Sequence, residues 1–270
     1  MKSFRLCAAA ALFLAAFSQA SFAYTAPAYT EPLAESPRTM LIVGNSYSYF
    51  NCGVQGVLRG LMKSAGMKPL PKTRLLTISS GKLSYHDMAQ YLSPHEGDPY
   101  AKTENGKLVA PMFAAVILQG NSQAITGGEK AFAIFRKYAV AHARTVREAG
   151  SVPMIVMTWP REGREGDIDR IADATIRVAN EAKAEVIPVA LAWTKVLKEY
   201  PEIRLYMPDH SHPSMAGTYL YASVLYSVLF RRSPEGLGYA GECEKPLKPE
   251  AAAALQKAAW ETVSAFYGLK

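Results

Sequence analysis

Short, almost continuously apolar runs alternate with longer stretches of helical periodicity along most of this sequence, and that alternation limits the folds open to the chain. Five runs have the length and composition of strands: Thr39–Val43, Arg74–Ile78, Ala114–Leu118, Val152–Met157 and Val186–Val189. A strand without a polar face is typical of a parallel sheet covered on both sides. The pattern therefore predicts an α/β fold, a doubly wound sandwich around a central, mainly parallel five-stranded sheet.

Helical patterns fill the intervals between these runs. Two of them are long and have acidic residues in the first turn, where a negative charge interacts favourably with the helix dipole; they are Glu129–Ala149 and Asp167–Ala184. Further helices are predicted over Val54–Ala65, Leu83–Tyr91, Ser214–Phe230 and Pro249–Tyr267. Ligands in this fold class bind beyond the carboxyl ends of the strands, so a site is expected in the segments that follow them.

The first 23 residues have the pattern of an export signal. Lys2 and Arg5 precede an apolar stretch, Leu6–Phe17, and Ser21-Phe22-Ala23 offers a small-x-small cleavage pattern. The stretch is shorter than the roughly 20 apolar residues of a spanning helix. We expect a signal peptide over residues 1–23, a tether rich in Pro and Ala over 24–38, and one domain over 39–270. The protein is then expected to be periplasmic or secreted, with no stable membrane insertion.

Charge and cysteine content narrow the function classes. The formal net charge is +7, which becomes +5 if Lys2 and Arg5 leave with the signal peptide. Basic residues are scattered and do not alternate with aromatic residues, so nucleic acid is not an expected partner. Export would allow Cys52 and Cys243 to form a disulfide, but the sequence does not show that they meet, and two buried, unpaired thiols are the favoured interpretation.

Polar residues follow three of the predicted strands. Ser46 comes after the first, Ser79-Ser80-Gly81 after the second, and Gln119-Gly120-Asn121-Ser122 after the third. A serine hydroxyl is a weak nucleophile at neutral pH and needs an imidazole to accept its proton, with a carboxylate to orient that imidazole. The segment Asp209-His210-Ser211-His212 contains both groups.

Other roles for this segment stay open on sequence alone. Asp209 can cap the helix predicted to follow it, and each histidine can be an ordinary surface residue. A metal site at Asp209, His210 and His212 lacks a further ligand cluster, so no metal or other cofactor is expected. His86 and His142 lie on helical patterns, which favours packing or surface roles for them.

The order G-x-S, then Gly, then x-x-N, then D-x-x-H resembles the SGNH (GDSL-type) hydrolase superfamily. The resemblance covers roughly residues 39–230, and its most specific part is DHSHPSMAGTYLYA, which matches D-x-x-H-P with a helix behind it. SSGKLSYH and VILQGNS also resemble a bacterial branch of that superfamily. The resemblance implies a flavodoxin-like α/β sandwich and a serine hydrolase that needs no cofactor.

The resemblance also implies a role for particular residues. Ser46 would be the nucleophile, His212 the general base and Asp209 the residue that orients it. The backbone N–H groups of Ser46 and Gly81 and the side-chain amide of Asn121 would form the oxyanion hole, where donors stabilise the negative charge that develops on the carbonyl oxygen. Gly53, Gly127 and Gly128 compete with Gly81 for its assignment.

Three residues depart from the superfamily pattern, so the pocket shape and the substrate preference of that superfamily do not carry over to this chain. Asn45 stands where the pattern has Asp, Gln119 where it has Gly, and Ser122 where it has Asp. Asn45 and Gln119 are therefore candidate substrate contacts. Trp159 and Arg161, which follow the fourth predicted strand, are further candidates for stacking on a sugar ring and binding an anionic group; a solvated loop with a packed Trp is the alternative.

The resulting hypothesis is an exported serine esterase that removes a small acyl group, such as acetate, from a carbohydrate or another small ester. A lipid-directed esterase, lysophospholipase or thioesterase would use the same residues, and a non-catalytic glycan-binding protein would keep the fold without the reaction. Fold analogy alone does not choose between these functions.

Overall fold

The computed structural model describes residues 24–242 and 245–269. The predicted signal peptide lies outside these residues, as do Cys7 and Cys243. Cys52 takes part in a disulfide bond. The sequence left a bond between Cys52 and Cys243 open, and the question stays open because only one of the two residues is described.

Seven strands form a five-stranded parallel sheet in the order β2-β1-β5-β6-β7 and a separate antiparallel hairpin of β3 and β4. The strands are β1 Thr39–Gly44, β2 Lys72–Thr77, β3 Lys102–Glu104, β4 Lys107–Val109, β5 Ala115–Leu118, β6 Val152–Val156 and β7 Glu185–Ile187. This confirms the predicted α/β fold and its parallel five-stranded sheet. All five predicted core strands exist, with ends displaced by one to a few residues.

Eight α-helices and two 3-10 helices complete the described part of the chain. The α-helices are α1 Ser46–Tyr49, α2 Val54–Ser64, α3 Met88–Leu92, α4 Glu129–Glu148, α5 Ile168–Ala182, α6 Val189–Glu199, α7 Met215–Phe230 and α8 Pro249–Tyr267. The 3-10 helices span Leu83–Tyr85 and Glu165–Asp167. Helix α7 contacts both α2 and α8, and α4 contacts α5.

The core lies on both faces of the sheet. Every residue from Met40 to Val43 in β1, and from Ala115 to Leu118 in β5, has no exposed surface. Successive side chains of a strand point to opposite faces, so complete burial requires cover on both. Helix α7 is buried along almost its whole length, which fits a helix that is apolar all round. No helix within residues 24–242 and 245–269 is long and apolar enough to cross a membrane.

Strand register places the segments that follow three strands at one level. Val43 of β1 pairs with Leu76 of β2 and with Leu118 of β5. β2 and β5 lie on opposite sides of β1. The connection after β1 runs towards β2, whereas the connection after β5 runs towards β6, so a crevice opens between the ends of β1 and β5. In doubly wound sheets this switch point is where ligands bind.

Among the α-helices, the prediction and the structure differ at Leu83–Tyr91, at α6 and at the short helix α1, which was not predicted. Leu83–Tyr91 is not one helix but a 3-10 turn followed by α3, because Asp87 caps a new helix by accepting from the Gln90 N–H at 3.0 Å. Helix α6 was not predicted, since its first residue continues the apolar run of β7. Pro188, between them, ends the strand and lacks the N–H that a sheet ladder would use.

The predicted tether has no helix or strand, but it lies on the domain. The Thr25 backbone N–H and hydroxyl both donate to Asp173 of α5, at 3.1 and 2.7 Å. Asn180 accepts from the Ala28 N–H at 2.8 Å and donates to the Ala26 carbonyl at 3.0 Å. These bonds fix the segment along α5, so the absence of apolar periodicity did not imply a free linker.

A pair of glycines in α2 tests the packing between this helix and the segment that follows α7. A methyl group at Gly60 would lie 2.2 Å from Cζ of the Tyr239 ring, whereas one at Gly56 would have nothing within 4 Å. We expect Gly60→Ala to lower the free energy of unfolding by about 1–3 kcal/mol through overpacking. Gly56→Ala should be neutral or stabilising by up to about 1 kcal/mol, because Ala favours the helix. Urea unfolding followed by circular dichroism measures both; an equal effect at the two sites would contradict the packing described.

Candidate active site

The nucleophile candidate lies at the junction of β1 and α1. Asn45 has an extended backbone and is the N-cap of α1, with its side-chain oxygen accepting from the Tyr47 N–H at 3.1 Å. Asn is among the preferred N-cap residues because its short side chain satisfies a backbone donor at the helix start. Ser46 is then the first helical residue, and its N–H has no intrahelical acceptor. Ser46 is 9% exposed, so it is at the edge of the buried core.

Ser46, His212 and Asp209 form one chain of hydrogen bonds. The Ser46 hydroxyl lies 2.8 Å from Nε2 of His212, and Nδ1 of His212 is hydrogen-bonded to the Asp209 carboxylate. The carboxylate can only accept when ionised, so Nδ1 carries the proton and Nε2 is left to accept from the serine. Residues 166 positions apart are thereby placed as the sequence hypothesis requires.

The turn that carries the histidine also holds the carboxylate. Asp209 accepts from the backbone N–H groups of Ser211 at 3.1 Å and His212 at 2.9 Å. Partial burial raises the pKa of Asp209, but the hydrogen bonds from the His212 ring and from the two backbone amides outweigh it, so the pKa lies below its ordinary value. Asp209 therefore stays ionised around neutral pH, as a group that orients an imidazole must.

Aromatic side chains support both sides of this hydrogen-bonded chain. Trp159 stacks between Tyr47 and Trp193, with ring centroids 4.7 and 4.2 Å away, and its indole N–H donates to the Ser211 carbonyl at 3.2 Å. Tyr47 shares a hydrogen bond with the Ser211 hydroxyl. These contacts fix the turn that precedes His212 against the helix that begins with Ser46.

The Asn45 amide connects the segments that follow three strands. Its Nδ2 donates to the Gly81 carbonyl at 3.2 Å and to the Gly120 carbonyl at 3.3 Å, while its oxygen caps α1. Asn45 is 3% exposed. A neutral amide suits this position because it donates to two carbonyls and accepts from one N–H at the same time. An ionised carboxylate has no proton to donate to either carbonyl.

Gly81 is close to the nucleophile, but its amide is not an unpaired donor. The Gly81 N–H donates to the Ile78 carbonyl at 2.8 Å. A Cβ at this position would lie 2.7 Å from the same carbonyl oxygen, which explains why glycine fits the turn. The expected role of the Gly81 N–H in an oxyanion hole is therefore wrong for this structure. The residue contributes its carbonyl to Asn45 instead.

Two buried histidines hold the segment around Gly81 in place. Nε2 of His86 donates to the Gly44 carbonyl at 3.0 Å, and Nε2 of His142 donates to the Leu83 carbonyl at 2.8 Å. Burial lowers the pKa of His86, so the ring is neutral at neutral pH. Both histidines pack in the interior, which is one of the two roles, packing or surface, that the sequence favoured for them.

Asn121 borders the same crevice from the β5 side. It follows Gly120, whose carbonyl accepts a hydrogen bond from Asn45. No described residue accepts a hydrogen bond from the side chain of Asn121. The two cavities that Asn121 lines measure about 10 and 20 Å³. A cavity of this size holds about one water molecule. Neither space is lined by Ser46 or His212, so the two volumes describe the packing beside Asn121 and not the space around the nucleophile.

Three of the four predicted substrate contacts are not available to a substrate. Asn45, Gln119 and Trp159 are 3%, 1% and 1% exposed. Gln119 accepts from the Ser48 hydroxyl at 2.5 Å and so connects α1 to the segment that follows β5. Trp159 has both ring faces covered, which makes its expected stacking on a sugar ring wrong. Arg161 is exposed and donates to the Ser122 hydroxyl at 3.3 Å, so its role as a substrate contact stays a prediction.

His210 has a different role from His212. Its backbone is in the left-handed region at φ 59°, and its Nδ1 lies 2.5 Å from the Glu162 carboxylate. The Glu162 N–H donates to the His210 carbonyl at 3.0 Å. His210 thus joins the turn to the segment after β6. Within the described residues, no group of three or more His, Cys, Asp or Glu side chains is arranged to hold a metal ion.

Phe50 and Tyr47 are site residues that the sequence reasoning did not identify. The Phe50 ring stacks on the His212 imidazole at 4.3 Å and 17°, and Tyr47 contacts the same imidazole edge-on at 5.3 Å. The signal was present as the aromatic-rich run Tyr47-Ser48-Tyr49-Phe50 directly after Ser46. Its meaning depends on His212, which is far away in the sequence.

No protein-family profile matches the sequence, and no curated protein matches it either. Several solved structures are similar to this chain. A DUF4886 family protein from Bacteroides uniformis aligns over 86% of this chain and 96% of its own, with a TM-score of 0.58 and 17% identity. An acetyl xylan esterase aligns over 70% and 98%, with a TM-score of 0.54 and 14% identity.

A catalytic mutant of an acetylxylan esterase from Geobacillus stearothermophilus aligns over 74% of this chain and 96% of its own. Its TM-score is 0.51 and its identity 15%. At such identities the similarity concerns the fold. The chain therefore has the α/β fold of the SGNH hydrolases, as its sequence motifs predict.

Proposed function

We propose that this protein is a serine esterase that removes a small acyl group from its substrate through an acyl-enzyme. The observation that carries the proposal is the hydrogen-bonded chain from the Ser46 hydroxyl through His212 to Asp209. It lies at the switch point of a doubly wound sheet, and it has the three groups that nucleophilic acyl transfer needs. Proteins of the same fold include acetylxylan esterases.

The first half of the reaction acylates the serine. Ser46 Oγ attacks the ester carbonyl carbon as its proton passes to Nε2 of His212. Asp209 stabilises the imidazolium that forms. The negative charge on the former carbonyl oxygen is stabilised by the Ser46 N–H and the Asn121 side-chain amide. The tetrahedral intermediate then collapses, and the alcohol leaves with the proton from His212.

The second half releases the acid. Water gives a proton to Nε2 of His212 and attacks the acyl carbon, and Ser46 Oγ leaves with that proton when the second tetrahedral intermediate collapses. The same donors stabilise this intermediate. No metal or organic cofactor enters either half.

Proteins of similar fold support a small acyl group. Two of the solved structures with this fold are acetylxylan esterases, whose names specify an acetyl group on xylan. An acetyl group adds only one methyl to the reacting carbonyl. The comparison therefore favours a small acyl group over the long chain of a lipid-directed esterase.

The disulfide at Cys52 supports the export that the N-terminal sequence predicts. Disulfides persist in oxidising compartments and are rare where cellular thiol systems keep cysteines reduced. We infer that the esterase acts in the periplasm or outside the cell, where the acylated compound would be an envelope or extracellular glycan.

Removal of the serine hydroxyl tests the mechanism. We expect Ser46→Ala to lose labelling by a fluorophosphonate probe and to lower kcat for p-nitrophenyl acetate by at least about 10³-fold. Asp209→Asn should lower kcat by roughly 10²–10⁴-fold, because the amide no longer fixes the tautomer of His212. His210→Ala is the matched control in the same turn and should stay within a few-fold of the wild type. An active Ser46→Ala variant, or a wild type that neither labels nor hydrolyses esters, would contradict an esterase.

Acyl chain length separates small-acyl from lipid-directed activity. We expect kcat/KM for p-nitrophenyl octanoate to be at least about 10²-fold below that for the acetate, because a site that fits an acetyl group excludes the longer chain. Initial rates below the micellar range of the octanoate give the comparison. Equal or faster hydrolysis of the octanoate would favour a lipid-directed esterase instead.

The charge state of residue 45 provides a test of positioning. In Asn45→Asp, a protonated carboxyl can donate to one of the two glycine carbonyls, and a carboxylate to neither. The pKa of that carboxyl should be raised by burial against carbonyl oxygens, so the variant loses its remaining bond as pH rises through the raised value. We expect kcat relative to wild type at the same pH to fall as pH rises from about 5 to about 8, reaching a loss of about 10²-fold.

The comparison at equal pH removes the pH effects that the variant and the wild type have in common. Asn105→Asp, in the exposed turn between β3 and β4, is the matched control and should show no loss. A constant ratio across the pH range for Asn45→Asp would mean that the two carbonyl bonds do not position the site.

A further inference from the structure

We propose that Tyr49 and Tyr85 form an aromatic platform that binds a sugar ring of the substrate, on the alcohol side of the ester. This rests on the proposed function, because it assigns the acyl group to the Asn121 side of Ser46 and the sugar to the exposed rings. Four large hydrophobic side chains of the described residues are exposed: Tyr29, Tyr49, Tyr85 and Leu108. Tyr49 is three residues after Ser46 on α1, and Tyr85 belongs to the segment that follows β2.

Tyr49 lies on the same short helix as Ser46 and shares its face. Residues three apart on a helix are neighbours, with Cβ atoms about 5–6 Å apart. The Tyr49 ring stacks on Phe50 at 5.5 Å and 25°, and Phe50 stacks on His212 at 4.3 Å and 17°. A row of nearly parallel rings therefore runs from the imidazole outwards to Tyr49, which is 39% exposed.

The outer face of Tyr49 is open to a ligand. Phe50 is its sole ring contact among the described residues, and it covers one face. The Tyr49 hydroxyl lies 3.4 Å from the hydroxyl of Ser79, which belongs to the segment that follows β2. The contact joins the outer end of the ring to that segment.

Tyr85 is the last residue of the 3-10 helix that follows β2. Leu83 is 2% exposed, and its carbonyl accepts a hydrogen bond from His142. His86 is 6% exposed and donates to the carbonyl of Gly44, two residues before Ser46. With both neighbours fixed inward, Tyr85 points outward and is 59% exposed. No described aromatic side chain stacks on it.

The chemistry of this surface suits a pyranose. A sugar ring has an apolar C–H face that packs on an aromatic face, and hydroxyl groups at its edge that bond to polar groups such as the tyrosine hydroxyls. Exposed tyrosines also lose little conformational entropy on binding. A fatty alcohol or acyl chain would need an enclosed apolar channel, whereas this surface is open and edged with Ser79 and the two tyrosine hydroxyls.

Binding to a catalytically inert protein tests the platform. In the Ser46→Ala background, isothermal titration calorimetry with an O-acetylated xylo-oligosaccharide gives the Kd without hydrolysis. We expect Tyr49→Ala and Tyr85→Ala each to raise Kd about tenfold, which is the upper range for one aromatic contact. Tyr49→Phe and Tyr85→Phe should keep Kd within about threefold, because the ring face remains. Tyr29→Ala, which removes a tyrosine of similar exposure on the N-terminal segment, should leave Kd unchanged.

The outcomes distinguish this inference from the esterase proposal. Unchanged Kd in both alanine variants, Phe variants as weak as the Ala variants, or no binding by the parent would overturn the platform even if the wild type hydrolyses simple esters. Binding that depends on both rings, in a protein whose wild type hydrolyses no ester, would support the platform and overturn the esterase. In an active wild type, the alanine variants should raise KM for the oligosaccharide more than they lower kcat.

Discussion

The side chain of Asn45 holds the candidate site together. One amide donates to carbonyls on the segments that follow β2 and β5, and its oxygen caps the helix that begins with Ser46. The parallel register brings these three segments to the same level of the sheet, and Asn45 fixes their spacing there. Because the group is buried and all its bonds are made, a change in its charge would affect three segments at once.

A second constraint comes from the stacked rings of Tyr47, Trp159 and Trp193. They connect the first helix to the turn that carries His212, and the Trp159 N–H bonds directly to that turn. Rings packed on both faces have little freedom to move, so they set the position of the imidazole. Together with Asn45, this arrangement leaves Ser46 Oγ and His212 Nε2 within hydrogen-bond distance. The half-buried ring of Phe50 and the exposed ring of Tyr49 continue the same aromatic surface outwards.

Much of this arrangement could be predicted from the sequence, for a physical reason. Strands buried on both faces must be apolar throughout, so the five core strands stand out as continuous runs. Ser46, Asp209 and His212 could be paired because nucleophilic catalysis requires those types of side chain. The helix α6 was hidden because its first turn continues the apolar run of β7. The roles of Gly81, Gln119 and Trp159 could not be predicted, since they depend on hydrogen bonds and ring contacts between residues far apart in the chain. Asn45 was recognised as unusual, but its partners are backbone carbonyls that have no sequence signature.

The central claim is that Ser46 carries the acyl group between the two halves of the reaction. Peptide mass spectrometry after rapid acid quenching of the wild-type protein with p-nitrophenyl acetate tests it directly. The account predicts an acetyl group on the peptide that contains Ser46, present during turnover and lost once the substrate is consumed. An acetyl group on another residue that forms and disappears at the rate of turnover, or steady hydrolysis with Ser46 unmodified at every time point, would contradict it.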